Sequence, residues 1–323
     1  MTAKTVAGQL AIETIAAFPR SPTATLARKL FHEHPAVYRS VEHARRSLRY
    51  YRGESGKGDR HCRSRDHRKR FALPASDATR YQPYRMTEQG TGLVIGDLHI
   101  PYHDRKALDT ILGYAIDRKA SAFCLLLGDT LDAYQLSRYC RDPRRRRFRD
   151  ELVAANALLD VLCAEFKTVI WKDGNHDQRY EHYLMEHASE ICDLDEIQLH
   201  QLLRLEARGI PYVDPYSTIH AGHLTLLHGH EYRGGVYSPV NPARGLYLRA
   251  KACSMCAHNH QTSNHTDPDI RQVVTSCWSI GCVCDVHPKY MPLNRWNLGF
   301  ALLSLDGRQF DVENHKLISG HVY

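Results

Sequence analysis

GLVIGDLH at residues 92–99, LLLGD at 125–129, VIWKDGNHD at 169–177, LLHGH at 226–230 and CAHNH at 256–260 share one pattern. In each, a short apolar run breaks off into Asp, Asn or His, usually with a glycine beside it. Gly92 to Ile95, Ala122 to Leu127 and Thr168 to Trp171 are too short for helices and read as strands. Between them, Arg105 to Arg118 and Arg144 to Ala164 carry helical spacing. The alternation predicts βαβ units of a mixed α/β domain. Loops at the carboxyl ends of such strands are where an α/β sheet builds its sites, and glycine lets the backbone turn sharply there. After about Tyr212 the strands take on a mostly antiparallel character: His220 to Leu227, Lys251 to Cys256, Arg271 to Ile280, Phe300 to Leu305 and Gln309 to Leu317, with Asp306-Gly307 as a hairpin turn.

The five clusters alternate carboxylate, amide and imidazole, the donor set of a two-metal centre. They resemble the calcineurin-like metallophosphoesterases, whose pattern is Asp-x-His, Gly-Asp, Gly-Asn-His-Asp/Glu, His, then Gly-His-x-His. The resemblance covers roughly Thr91 to Leu317, with Ala257 standing where the family usually has glycine. It implies two mixed β-sheets sandwiched between helices. It further implies that Asp97, His99 and His260 bind one divalent metal, that Asn175, His228 and His258 bind the other, and that Asp129 bridges them. Manganese is the foremost expectation, with Fe, Zn or Ni as alternatives. Two such cations bind a phosphate oxygen and hold a hydroxide nucleophile in line with the leaving group. His176 then matches the family's catalytic imidazole, and Asp177 is expected to orient it and keep it charged. His230 is read as facing substrate or supporting a ligand, not as a ligand itself. His258-Asn259-His260 spells HNH, but the nuclease motif of that name is a dispersed pattern on another fold. Cys253, Cys256, Cys277, Cys282 and Cys284 suggest a zinc ribbon, against which Cys253 and Cys256 would fall on opposite faces of a strand.

Residues 1–90 hold 18 Lys or Arg against 8 Asp or Glu, whereas the remaining 233 hold 25 against 28. The basic character therefore belongs to the N-terminal part. There, Thr5 to Phe18 and Thr23 to His34 read as helices, and a third starts at Ser40 as N-cap and closes at Gly53. Val41, Ala44, Leu48 and Tyr51 give the third helix an inner face, and Arg45, Arg49 and Arg52 an outer one. This arrangement resembles a helix-turn-helix module whose third helix lies against nucleic acid, as in phage and prophage metallophosphoesterases; a solvated basic face is the alternative. The expected organisation is a helix-turn-helix-like domain over 1–53, a basic linker over 54–90 and a metallophosphoesterase domain over 91–323. A second run of arginines, including Arg144 and Arg145, follows the Asp129 loop and points to a polyanionic substrate or to a solvated helix start.

With 43% hydrophobic residues in a chain of 323 and a mean hydropathy of −0.47, disordered, collagenous and multi-span membrane classes are excluded. Gln9 and Glu13 interrupt the one N-terminal stretch that could serve as a signal peptide, so a cytoplasmic protein of a bacterium or a phage-infected host is expected. Three readings remain: a metal-dependent nuclease or phosphodiesterase acting on nucleic acid, probing DNA first; a phosphatase or cyclic-nucleotide phosphodiesterase; and a catalytically inert DNA-binding regulator.

Overall fold

Side-chain caps define where the first helices begin. Thr5 Oγ1 accepts from Gly8 N at 3.3 Å ahead of α1 (Val6–Ala17), and Ser40 Oγ accepts from His43 N at 3.1 Å ahead of α3 (Val41–Tyr51); α2 spans Thr23–Glu33. The computed structural model describes residues 5–55, 74–232 and 240–323, which divide into two units after Thr79. In the first unit Ala11, Leu26, Leu30, Tyr38, Ala44 and Leu48 form a small buried core. Residues 56–73 of the expected basic linker lie outside the described residues.

The second unit is α/β, with two mixed sheets. One is seven-stranded, in the order β13-β12-β11-β2-β3-β4-β5, and the other six-stranded, in the order β1-β6-β7-β8-β10-β9. In chain order the strands are β1 (Tyr84–Arg85), β2 (Gly90–Ile95), β3 (Cys124–Leu127), β4 (Val169–Lys172), β5 (Tyr212–Val213), β6 (Ile219–Ala221), β7 (Leu224–Leu227), β8 (Ser254–Cys256), β9 (Ser263–Pro268), β10 (Val274–Ser279), β11 (Gly299–Asp306), β12 (Gln309–Ile318) and β13 (His321–Val322). The main helices of this unit are α4 (Arg105–Asp117), α5 (Phe148–Glu165), α6 (Arg179–His187), the single turn α7 (Leu199–Leu202) and α8 (Pro242–Ala250). β2 to β5 run parallel, and β11 is antiparallel to β2 and β12.

The apolar runs of β2, β3 and β4 are continuous because both faces are covered. Leu93, Ile95, Cys124, Leu126 and Trp171 pack on the helix side with Ile111 of α4 and Leu159 of α5. Val94, Leu125, Leu127 and Ile170 alternate to the other face and meet Ile219, Leu224, Leu226 and Met255 of the six-stranded sheet.

Two expectations are corrected, and two strands are added to those expected. His220 to Leu227 is a hairpin and not one strand, with Gly222 at φ 60° in the turn between β6 and β7. The region after Tyr212 is less antiparallel than its pattern suggested: β8 runs parallel to both β7 and β10, because α8 supplies the crossover from β7 to β8. Ser263–Pro268 is a strand with little apolar patterning, paired along its whole length with β10. Tyr84–Arg85, inside the stretch read as linker, already pairs with β6 as an edge strand.

Candidate metal centre

Every expected ligand sits just past a strand end, and the two sheets aim those ends at one place. Asp97 and His99 follow β2, Asp129 follows β3, Asn175 follows β4, His228 follows β7, and His258 and His260 follow β8. Asp97, His99, Asp129, His258 and His260 all have left-handed backbones, with φ between 48° and 66°. For residues with a side-chain branch such conformations cost energy and persist only where the surroundings enforce them, typically at functional sites. Glycine is required where the loops touch. A Cβ at Gly174 would stand 2.2 Å from Asp129 Oδ1, and one at Gly128, φ 89°, would stand 2.4 Å from His228 Nδ1. Ala257 is accommodated because it faces Gly96, whose own Cβ would meet the Ala257 methyl at 2.9 Å.

Each carboxylate spends one oxygen on the backbone and leaves the other for the centre. Asp97 Oδ2 accepts from His258 N at 2.8 Å, and Asp129 Oδ1 accepts from His176 N at 2.8 Å. The other oxygens converge on imidazoles. Asp97 Oδ1 is 3.3 Å from His260 Nε2, and Asp129 Oδ2 is 3.2 Å from His228 Nε2 and 3.8 Å from His99 Nε2. Asp97 Oδ1 and Asn175 Oδ1 are buried without a hydrogen bond. Asp97, His99 and Asp129 form one group with metal-ligand spacing, and Asp129, His228 and His258 form another. Asp129 belongs to both. The residues therefore fit a pair of divalent cations: hard oxygens of Asp97 and Asn175 without a hydrogen bond, borderline imidazole nitrogens nearby, and a shared carboxylate.

Electrostatics point the same way. Burial opposes the His228 cation, yet the adjacent Asp129 carboxylate carries its pKa up to about 9, and Asp97 carries that of His260 up to about 10 against the same burial. Burial, reinforced by His228, pushes His258 down to about 4. Asp129 stays well below the usual carboxylate range despite its burial, because His228, His176 and His99 surround it. The two raised imidazoles hold protons because the carboxylates demand positive charge, which a bound cation would supply while displacing them.

Neighbouring groups fix the rings. His228 Nδ1 donates to Leu127 O at 2.8 Å, leaving Nε2 for the centre, and His99 Nδ1 lies 3.1 Å from Asp132 Oδ1. Glu231 accepts from His228 N and Gly229 N and is paired at 3.1 Å with the fully buried Lys172. Lys172 also donates to the carbonyls of Asp173, Asp214 and Pro215.

Asp177 does not reach His176. Its carboxylate turns inward, accepting from Gly174 N at 2.8 Å and Leu131 N at 2.9 Å, and so ties the β4 loop to the β3 loop; burial holds its pKa well above the usual range. The place expected for it is filled by Asp132, whose Oδ1 is 3.1 Å from His176 Nδ1, while Arg179 donates to His176 Nε2 at 2.9 Å. Neither Asp132 nor Arg179 was singled out from the sequence; their only signals were a second Asp on the loop after Gly128 and an Arg three residues beyond His176. His230 stands beside the second group, its ring 5.3 Å from that of His228, and belongs to neither ligand group.

The arginine run separates into different environments. Arg144 is exposed and paired with Asp142, whereas Arg145 lies over the rings of Tyr102 and Tyr134 at 5.2 and 4.7 Å. Arg145, Asp132, His176 and Arg179 line a cavity of about 700 Å³ beside the centre. In the N-terminal unit Arg45 and Arg49 are exposed, but Arg52 is not on the open face. It donates to Thr23 Oγ1 at 2.8 Å and to Ser21 O at 2.7 Å, fastening α3 to the start of α2. Among the described residues the cysteines form no group of their own with ligand spacing; Cys284 instead joins His99 and His260 at the edge of the centre.

The fold and site thus define a two-sheet α/β protein with a candidate dinuclear His/Asp centre where strands of both sheets end. The chain is similar to the Gene 54 proteins of Mycobacterium phages L5 and D29, each 26% identical over 243 residues that cover 71% of this chain and 94% of the phage protein. Among solved structures it is similar to Vps29 from Entamoeba histolytica (TM-score 0.38, 15% identity, 72% of this chain and 96% of that one) and to Vacuolar Protein Sorting 29 from Cryptosporidium parvum (TM-score 0.42, 15% identity, 73% and 95%). No family model matches the chain. No described helix is long and apolar enough to cross a membrane.

Proposed function

We propose that this protein hydrolyses phosphodiester bonds of nucleic acid with two divalent cations, manganese foremost. The observation that carries the reading is the membership of Asp129 in two ligand groups at once, each completed by imidazole. Asp97, His99 and His260 would hold one cation, Asn175, His228 and His258 the other, and Asp129 would serve both. Bound there, the cations supply Lewis acidity and an activated water. The chain's own groups do the rest. Asp132 at Nδ1 of His176 fixes the ring at the wall of the cavity; with Arg179 turned from Nε2 toward the phosphoryl oxygens, that nitrogen is free to carry the proton given to the departing oxygen. Arg179, now on His176 Nε2, supplies a guanidinium to the phosphoryl oxygens.

Nucleic acid, DNA foremost, is the substrate class because the basic charge is concentrated in residues 1–90 and because Arg45, Arg46 and Arg49 lie exposed on α3. The N-terminal helices then serve as the DNA-binding module. The deciding experiment loads the full chain with Mn²⁺ and compares single- and double-stranded DNA, mononucleotides and bis-(4-nitrophenyl) phosphate. Turnover of DNA and of the diester supports the reading; hydrolysis confined to phosphomonoesters, or none with any metal, overturns it.

A further inference from the structure

The cavity of about 700 Å³ beside His176 has walls that a phosphate alone does not call for. Arg145, Arg179 and Lys289 line it together with the rings of Tyr134, Tyr139 and Tyr290. An adjoining hollow of about 360 Å³ shares Tyr134, Arg145, Lys289 and Tyr290 and adds Trp296, whose ring is packed at 4.1 Å from that of His260. Tyr139 and Tyr290 are 80% and 71% exposed, so neither ring is spent on the core; that of Tyr290 stands edge-on to Trp296 at 6.3 Å. Arg145 is preorganised. Of Arg144, Arg145, Arg146 and Arg147 it alone is partly buried, held over Tyr102 and Tyr134 by cation–π contact, with the guanidinium fixed at the wall. Aromatic faces interleaved with cations are the chemistry that recognises a flat base and its flanking phosphates. A sugar phosphate or a phosphorylated side chain would leave the rings unused.

We propose that this cavity is a nucleobase subsite that takes one unstacked nucleotide of the substrate, the base against Tyr134 and Tyr290 and the flanking phosphate against Arg145 and Lys289. The inference rests on the phosphodiesterase reading above and narrows it: the strand enters as an unpaired segment or end, since a base inside a duplex presents no free face to a ring.

Two measurements separate this proposal from that reading. Calorimetry on the full chain, dialysed against EDTA, compares thymidine 5′-monophosphate with 1,2-dideoxyribose 5-phosphate, which carries hydrogen in place of the base. The nucleotide should bind roughly tenfold or more tightly, the range for one stacked base, and Tyr290→Leu, at an exposed position, should remove most of that preference. On the Mn²⁺-loaded chain, Tyr290→Leu should lower kcat/KM on thymidine 5′-(4-nitrophenyl phosphate) about tenfold more than on methyl 4-nitrophenyl phosphate. Equal binding of the two ligands, or a preference that Tyr290→Leu leaves intact, overturns the subsite whatever the turnover. A base preference in a chain that hydrolyses neither ester leaves the subsite standing and removes the phosphodiesterase reading.

Discussion

Asp132 Oδ1 stands 3.1 Å from Nδ1 of His176, and it is the same oxygen that stands 3.1 Å from Nδ1 of His99. One carboxylate thus supports both an expected ligand and the expected proton donor. Asp132→Asn, which keeps the shape and removes the charge, should weaken metal binding by about 10- to 100-fold and also depress turnover at saturating metal. Metal titration followed by turnover at saturation checks both. A variant with parental metal affinity would break the link to His99, and one with parental turnover the link to His176.

Asp129→Ala should leave fewer than two metals per chain by elemental analysis after dialysis, because the carboxylate that offsets repulsion between two cations is gone. His176→Ala should retain both metals while losing about 10²- to 10⁴-fold in turnover. Two full metal equivalents in Asp129→Ala would exclude its bridging role.

Glu231→Gln retains an acceptor for His228 N but leaves the buried Lys172 ammonium without a counter-charge. Breaking such a pair costs about 3–5 kcal/mol, so the urea midpoint should fall markedly. Pairing Glu231→Gln with Lys172→Met should recover part of the loss. If the double variant is no more stable than the single one, the penalty does not come from an unpaired cation.

Glu151 is fully buried on α5, accepts from Ala133 N at 2.7 Å and is pushed up to about 8 by burial, with the Asp132 charge adding to it. The folded state therefore binds a proton that the unfolded chain releases near pH 4.5. Stability should fall as pH rises from about 4.5 to 8, with a contribution of at most ~1.4 kcal/mol per pH unit, and level off above. Glu151→Gln should flatten that part of the profile in denaturant melts; an unchanged slope would assign it to other groups.

The two kinds of arginine on α3 should behave differently. Arg45→Ala with Arg49→Ala should weaken DNA binding and make its dependence on log salt shallower by up to about two contacts, with folding of the N-terminal unit intact. Arg52→Ala should instead destabilise that unit, since its guanidinium holds Thr23 and Ser21. A DNA-binding isotherm untouched by the first pair would return α3 to the solvated-face interpretation.

The α/β class was legible because β2, β3 and β4 are buried on both faces and each run stops at a donor side chain, whereas the division into two sheets followed from the family resemblance and not from the pattern. The convergence of Asp97, Asp129, His228, His258 and His260 could be read for the same reason: strand ends are fixed points, and a residue one or two positions past them has little freedom. The parallel placement of β8 was hidden, because it depends on α8 crossing over the sheet and not on any pattern within Ser254–Cys256. Asp177 was misplaced as the partner of His176 because adjacency along a tight turn says nothing about which way a carboxylate points; backbone N–H groups from two loops claimed it. Arg52 was misplaced because helical periodicity assigns a face, while a long side chain at the last turn can fold back onto the preceding helix.

The strand ends also divide the donors by layer. The seven-stranded sheet delivers both carboxylates, the amide of Asn175 and a single imidazole, His99; the six-stranded sheet delivers only imidazoles, His228, His258 and His260. Hard oxygen donors thus ride on one rigid layer and borderline nitrogen donors mostly on the other. A slip of one layer past the other would change the spacing between the two sets of donors while leaving the spacing within each set unaltered. Were cations held between the layers, the fit of the oxygen donors against the nitrogen donors would depend on how Val94, Leu125 and Leu127 seat against Leu224, Leu226 and Met255.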